Sequence, residues 1–324
     1  MSNATHHVVP DQKKICLLGG TGFVGRHLLG RLSALGYRIT VPTSSRERAK
    51  DLLVLPSVEV VEANIHDSAT LTRLLAGHGA VINLVGILHG SHKDFVQAHV
   101  KLPHKVMDAC RAHGIKRYLH MSALGADTGS KSFYQHSKGE GERLVLEPSR
   151  EHDLDVTVFR PSVIFGPGDS FLNLFADLLR LAPVVPLANG GARFQPVHVT
   201  DVAHAIAASL WDEETFGQAY NLCGPDRYTL AELVKLVATT LNLNRRIVPL
   251  GTQASLFFAW MMEFKPGRRI MTRDNHYAMQ QDNVCPEGFP TRFGQPAALK
   301  HNLDYLRKAG RLDVYDTYRR EAGR

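Results

Sequence analysis

The 324-residue sequence predicts an α/β fold, a doubly wound parallel sheet with a smaller, mixed region behind it. Three observations carry that expectation. Between residue 14 and about residue 160, short β-branched runs alternate with stretches whose apolar residues recur at helical spacing. The first run passes directly into a glycine cluster, Gly19-Gly20-Thr21-Gly22, that opens a helix. Beyond Pro161 the alternation loses its regularity and turns rich in Pro and Gly appear.

Each element has a local reason. Residues 15–18 form an apolar strand, and a helix follows over 23–35 with Gly36 placed to end it. Residues 37–41 read as a second strand, 46–53 as a helix and 58–62 as a third strand. Asp67 is an N-cap for a helix over 69–76. A fourth strand at 80–85 precedes a long helix at 95–113, which Pro103 should kink or restart. The fifth strand, 117–121, ends at Ser122; a helix over 134–146 leads to a sixth strand at 155–159. Residues 171–181, 202–211, 230–240 and 299–306 look helical. Six strands with intervening helices are the dinucleotide-binding plan. The expected division is a Rossmann domain at 12–165 and a substrate region at 166–324, with segments near 195–225 returning to the main sheet.

Composition excludes several classes. A hydrophobic share of 44% with 21% charged residues is that of a globular chain with an ample core. The surplus of 38 Lys+Arg over 31 Asp+Glu, +7 in all, is too small for a dedicated nucleic-acid protein and suits a phosphorylated ligand or an acidic surface. Cys16, Cys110, Cys223 and Cys285 are scattered, so no zinc cluster is expected and a reducing compartment is. No stretch reaches the roughly 18 apolar residues of a membrane span, and no signal-peptide pattern stands at the N-terminus. A cytoplasmic protein is the expectation, and its oligomeric state is open.

The chemistry-bearing residues begin with Gly19, Gly22 and Gly25, a GxxGxxG at a strand-to-helix turn that also holds Thr21, Phe23 and Val24. Glycines there permit a tight turn, close approach to a pyrophosphate, and close packing of helix on strand. The helix N-terminus then offers N–H groups to the phosphates. A plain structural turn is the alternative; the flanking strand and amphipathic helix favour a nucleotide. After the second strand, Ser44, Ser45 and Arg46 stand where an acidic residue would take ribose hydroxyls. They suit a 2′-phosphate, so NADP(H) is favoured over NAD(H), against the alternative of an ordinary cap with solvated arginines. Tyr134 and Lys138 lie one helical turn apart, and an ammonium beside a phenol favours the phenolate. Ser122 precedes that pair at a strand's end, placed to bond the same substrate oxygen.

In order, the segments 19–25 and 83–86, Ser122, Tyr134-x-x-x-Lys138, Arg160-Pro161-Ser162-Val163, Phe165-Gly166-Pro167-Gly168-Asp169, Pro196-Val197-His198 and Tyr220-Asn221-Leu222 resemble an extended or atypical short-chain dehydrogenase/reductase over residues 14–240. The run His120-Met121-Ser122-Ala123-Leu124-Gly125-Ala126, with Arg193-Phe194-Gln195-Pro196, Thr272-Arg273-Asp274 and Asp282-Asn283-Val284, is most similar to the branch of the nucleotide-binding accessory subunit of mitochondrial complex I. The resemblance implies Tyr134 as acid/base, Lys138 on the nicotinamide ribose and tuning Tyr134, and Ser122 orienting the substrate oxygen. It implies Val85 and Gly86 beside the cofactor, Pro161, Ser162 and Val163 at the carboxamide, and Asn64 with Ile65 near the adenine. Two positions depart from the family pattern: His99 replaces a helical Asn of the proton relay, and Asn64 replaces an acidic residue. His99 is a relay candidate or, on the bland reading, a helix-surface histidine.

Three functions follow from these signals. The first is an NAD(P)-dependent oxidoreductase acting on an unknown small carbonyl or alcohol. The second is a non-catalytic nucleotide-binding scaffold of a respiratory or quinone-related complex, and the third a nucleotide-sugar epimerase or dehydratase. Arg193 and Asn173 are candidates to hold a substrate phosphate or sugar. His198, Asp201 and His204 have the wrong spacing for a metal, Thr200 more simply capping a helix, and no metal is expected. The run at 255–264, SLFFAWMMEF, followed by Lys265, Arg268 and Arg269, is either a buried helix or an apolar surface at 255–269 resting on a membrane's inner face or admitting a quinone. The arginines at 307, 311, 319, 320 and 324 read as a solvated face.

Overall fold

The structure is a computed structural model that describes residues 11–147, 154–263 and 272–307. The cations at 265–269 and the arginines beyond 307 lie outside the described residues.

Strand β1 (Asp11–Leu18) is followed by helix α1 (Phe23–Ala34), β2 (Arg38–Thr43), a 3₁₀ segment (Arg46–Val54) and β3 (Val58–Glu62). Then come α2 (Ser68–Leu75), β4 (His78–Asn83), α3 (His92–Val96), a π-helical turn (Gln97–Lys101) and α4 (Leu102–Ala112). β5 (Arg117–Met121), α5 (Phe133–Leu146) and β6 (Asp155–Pro161) complete the first part. The second part runs β7 (Ile164–Phe165), α6 (Leu172–Leu181), β8 (Val184–Leu187), β9 (Arg193–Phe194), β10 (Val197–His198), α7 (Val199–Ala208), β11 (Gln218–Leu222), β12 (Tyr228–Thr229), α8 (Leu230–Thr240), β13 (Arg246–Pro249), α9 (Thr252–Glu263) and α10 (Arg273–Ala278).

Seven strands form one parallel sheet in the order β11-β6-β5-β4-β1-β2-β3. A parallel sheet must be covered on both faces, and the strands show it by period-two alternation. Ile15 and Leu17 pack with Leu28, Leu29 and Leu32 of α1 and Val202 and Ile206 of α7. Cys16 and Leu18 point the other way, against Leu71, Leu75, Leu102, Val106 and Cys110. A third core joins Phe165, Leu172, Phe175 and Leu179 to Leu233, Val234 and Val237 of α8. Strand order reverses between β1 and β4, which opens a crevice at their carboxyl ends.

Several local expectations need correction. The helix at 46–53 is a 3₁₀ segment, and the one at 299–306 is two short 3₁₀ turns, Leu299–His301 and Asp304–Arg307. The long helix at 95–113 is divided by the π turn, after which Pro103 sits at the start of α4, where its missing N–H costs nothing. Helix α7 starts at Val199, so His198 is its cap instead of Thr200; its imidazole accepts the Thr200 N–H at 3.4 Å. The cysteines are not all separate: Cys223, at the end of β11, is disulfide-bonded to Cys285, with Cα atoms 6.1 Å apart. Local pattern could not pair residues 62 apart in the chain.

Arg117 ties β11's approach to the sheet. Its buried guanidinium donates to Leu210 O (2.7 Å), Asp155 O (2.6 Å), Thr157 Oγ1 (2.8 Å) and Thr215 Oγ1 (3.1 Å). Replacing it by Met fills the volume and orphans those acceptors. Arg117→Met should cost on the order of 3–5 kcal/mol, read from urea unfolding; an unchanged midpoint would show the acceptors reaching water.

Candidate functional site

The turn after β1 is built for close approach. Gly19 has φ +80°, and a Cβ there would lie 3.0 Å from the Leu84 carbonyl carbon. A Cβ on Gly25 would lie 2.4 Å from Gly19 O, so α1 seats on the loop with no room for a side chain. No side chain caps α1, which leaves its first N–H groups to whatever lies beyond the loop. There a cavity of about 480 Å³ opens, lined by Gly19, Thr21, Ser44, Asn64, Ile65 and Val85 from the expected set. Asn64 is braced across its own turn, its Oδ1 accepting the His66 N–H at 3.0 Å. Ser45 and Arg46 do not line this cavity; Arg46 is exposed at the start of the 3₁₀ segment. Gly22, Val24 and Gly25 form the turn and helix beneath it. Sequence reasoning missed Glu62, the last residue of β3, which also lines it. An acidic side chain two residues before Asn64 was the available signal.

A second cavity, about 370 Å³, adjoins the ends of β5 and β6 and gathers Phe23, Gly86, Ser122, Tyr134, Lys138, Pro161, Ser162 and Val163. Ser122 donates its N–H to Phe159 O at 2.8 Å, continuing the β5–β6 ladder. Its hydroxyl is buried and has no hydrogen-bond partner, an uncommon condition for a polar atom. Lys138 is buried and donates to Met121 O at 3.0 Å; burial lowers its pKa to about 8, against the raising influence of Glu142. Tyr134 moves oppositely. Burial, and then the nearby Asp274 carboxylate, raises its phenol to about 12. The expectation that Lys138 pulls this phenol down is therefore corrected: desolvation dominates, the Asp274 carboxylate adds to it, and the ammonium donates to Met121 O.

His99 is buried, which overturns the helix-surface reading. Its Nε2 accepts the Ile87 N–H at 3.1 Å, which places the proton on Nδ1; that proton goes to Ser137 Oγ at 2.8 Å, and Ser137 donates on to Tyr134 O at 3.0 Å. Burial, with Lys138 and His120 adding to it, lowers its pKa to about 2. Both ring nitrogens are engaged. His99 thereby fastens the 86–87 loop to the helix of Tyr134. The π turn brings the backbone so close that a Cβ on Gly141 would lie 1.9 Å from His99 O.

Asp274 is the main residue that sequence reasoning left without a role. Its carboxylate accepts the Phe133 N–H (2.6 Å), the Tyr134 N–H (3.3 Å) and the Ser132 hydroxyl (3.0 Å), so it caps α5 and lines the second cavity. Asn283 binds Ser162 Oγ through its Oδ1 at 2.6 Å and donates to Leu124 O at 3.1 Å. Both lie in runs that had signalled only a resemblance. Arg193 and Asn173 line neither cavity, and Asn173 Nδ2 donates to Asp169 O at 3.0 Å. His198 bonds Thr200, and Asp201 accepts the Ala297 N–H at 2.8 Å. On α9, Ser255 is buried but Phe257 and Trp260 are 61% and 44% exposed, so that helix is not a wholly buried one. No helix among the described residues is long and apolar enough to cross a membrane.

The side-chain-free cradle at Gly19 and Gly25, the crevice where strand order reverses, and the unsatisfied Ser122 hydroxyl fit a nicotinamide dinucleotide laid across the two cavities. Fold and site together define a Rossmann-type protein of the extended short-chain dehydrogenase/reductase class. The model of the NAD dependent epimerase/dehydratase family matches residues 15–223, and the chain belongs to that family. It is 32% identical to NADH dehydrogenase (ubiquinone) 1 alpha subcomplex subunit 9, mitochondrial, of Arabidopsis thaliana over 287 residues, 84% of this chain and 70% of that one. The branch resemblance read from 120–126 and 272–274 is thereby borne out. It is also 28% identical to a ceramide reductase of Caulobacter vibrioides over 313 residues, 92% of this chain and 96% of the relative. Among solved structures, the UDP-glucose 4-epimerase of Thermotoga maritima has the same fold, with a TM-score of 0.69 at 18% identity over 95% of this chain and 99% of that one.

Proposed function

We propose that the chain is a nicotinamide-dependent oxidoreductase that interconverts a carbonyl and an alcohol, with NADP(H) preferred to NAD(H). The observation that carries this reading is one cavity in which Ser122, Tyr134 and Lys138 meet, the Ser122 hydroxyl being buried and unpaired. A bound dinucleotide would supply the hydride. The protein's part is position and proton. Ser122 donates to the substrate oxygen, and Tyr134 gives its phenolic proton to that oxygen as the carbonyl becomes an alcohol. Burial raises Tyr134 to about 12, so it is a neutral phenol at physiological pH and holds the proton that carbonyl reduction needs. Lys138, Gly86 and Pro161–Val163 would face the nicotinamide end; Gly19, Thr21, Asn64 and Ile65 the phosphate and adenine end. Ser44 lines that end, and Arg46, exposed two residues on and outside the cavity lining, is the cation available to a 2′-phosphate.

A second reading has its own support. The Arabidopsis relative is named as a complex I subunit, and Phe257 and Trp260 stand side by side on α9, ring centroids 5.8 Å apart, as an exposed apolar ridge. On this reading the protein is a nucleotide-holding accessory subunit, peripheral at the inner face of a membrane.

Mass spectrometry of the nucleotide carried through purification, followed by NADPH oxidation assays over a panel of ketones, aldehydes and quinones, separates the two. The oxidoreductase reading expects bound NADP(H) and turnover of at least one carbonyl. Bound nucleotide that stays reduced against every member supports the scaffold.

A further inference from the structure

The second cavity is where the oxidoreductase reading puts its substrate, and the walls restrict what that substrate can be. Phe23, Ile87, Met121, Phe171, Phe194 and Met279 make much of the lining apolar. Lys138 is the one cation among its described lining residues, and its ammonium already donates to Met121 O at 3.0 Å. A diphosphate drawn out of water needs several guanidinium or ammonium partners, and the described lining offers the single ammonium of Lys138, one of whose three N–H groups goes to Met121 O. The Asp274 carboxylate adds a fixed negative group to the same lining, held by the Phe133 N–H at 2.6 Å and the Ser132 hydroxyl at 3.0 Å. An anionic ligand placed beside it meets like charge in a site walled by apolar groups.

We infer that this cavity selects an uncharged, largely apolar carbonyl or alcohol, and that Asp274 is the residue that rejects anionic ligands. The carbonyl rests on the oxidoreductase reading; the selection by charge concerns binding alone. Asp274 acts without touching the reacting oxygen, by setting the charge of the wall while it anchors the first turn of α5.

The full chain loaded with oxidised NADP is titrated with decanal, decanoate and UDP-glucose and followed by saturation-transfer NMR. Decanal should bind, decanoate of equal chain length should bind weaker by about tenfold or more, and UDP-glucose should not displace decanal. Asp274→Asn, which keeps a side-chain acceptor for the helix N-terminus, should strengthen decanoate binding by about tenfold relative to decanal, closing most of the gap between them. Displacement of decanal by UDP-glucose would overturn the inference. So would failure of decanal to bind, or equal binding of decanal and decanoate by the unaltered chain, a comparison that stands even where Asp274→Asn does not fold. Decanal bound without any NADPH turnover sinks the oxidoreductase reading and leaves the charge selection intact.

Discussion

Tyr134→Phe should lower kcat for carbonyl reduction by about 10²–10⁴-fold while nucleotide affinity stays where it was. The substitution removes one hydroxyl and nothing that holds the helix, because Asp274 grips Tyr134 through its backbone N–H and Ser137 through its carbonyl. Fluorescence titration with NADPH measures affinity, and stopped-flow consumption of NADPH measures the rate. The pH profile carries a sign. A phenol raised to about 12 stays protonated through neutral pH, so reduction, which needs the acid, should not fall with Tyr134 ionisation anywhere near neutrality. Alcohol oxidation needs the phenolate and should accelerate steadily as the pH rises toward that value. A variant with full activity would remove Tyr134 from the chemistry and leave Ser122 without its companion.

Acid should unfold this protein earlier than its charge would suggest. His78, His99 and His120 are buried beneath the sheet ends, and burial is the first cause that lowers them, to about 4, about 2 and about 3. In the unfolded chain each takes a proton near pH 6.5. Their folded pKa values are depressed, so the unfolded state binds more protons and stability falls as the pH drops below that point. Together the three should remove about 5 kcal/mol between pH 6.5 and pH 5, a large part of a typical domain's stability. Asp169 and Asp201, raised by burial, work in the opposite sense, but only as the pH approaches the carboxylate range. Urea midpoints at the two pH values test this, and equal midpoints would refute it. His120→Asn, which keeps a polar group near Tyr118 and Asn83, should flatten the dependence in part.

Much of the site was legible because its signals are local. A strand, a glycine turn and an amphipathic helix are each encoded within a dozen residues, and the same holds for Asp67 capping α2 and for α8 at Leu230–Thr240. Tyr134, Lys138 and Ser122 were readable from helix spacing and a strand end. Their pKa values were not. Whether a phenol feels an ammonium or a dry wall depends on what surrounds it, and here desolvation outweighs a lysine that bonds elsewhere.

The sequence by itself determined the sheet, the glycine cradle and the residues proposed to do chemistry, since periodicity, caps and glycine turns act through neighbours along the chain. Only the tertiary structure decided that His99 is locked between Ile87 and Ser137, that Cys223 meets Cys285, and that Asp274 caps the helix of Tyr134 from 140 residues away. Those contacts join distant segments, and which of them meet is set by how the chain covers both faces of one sheet.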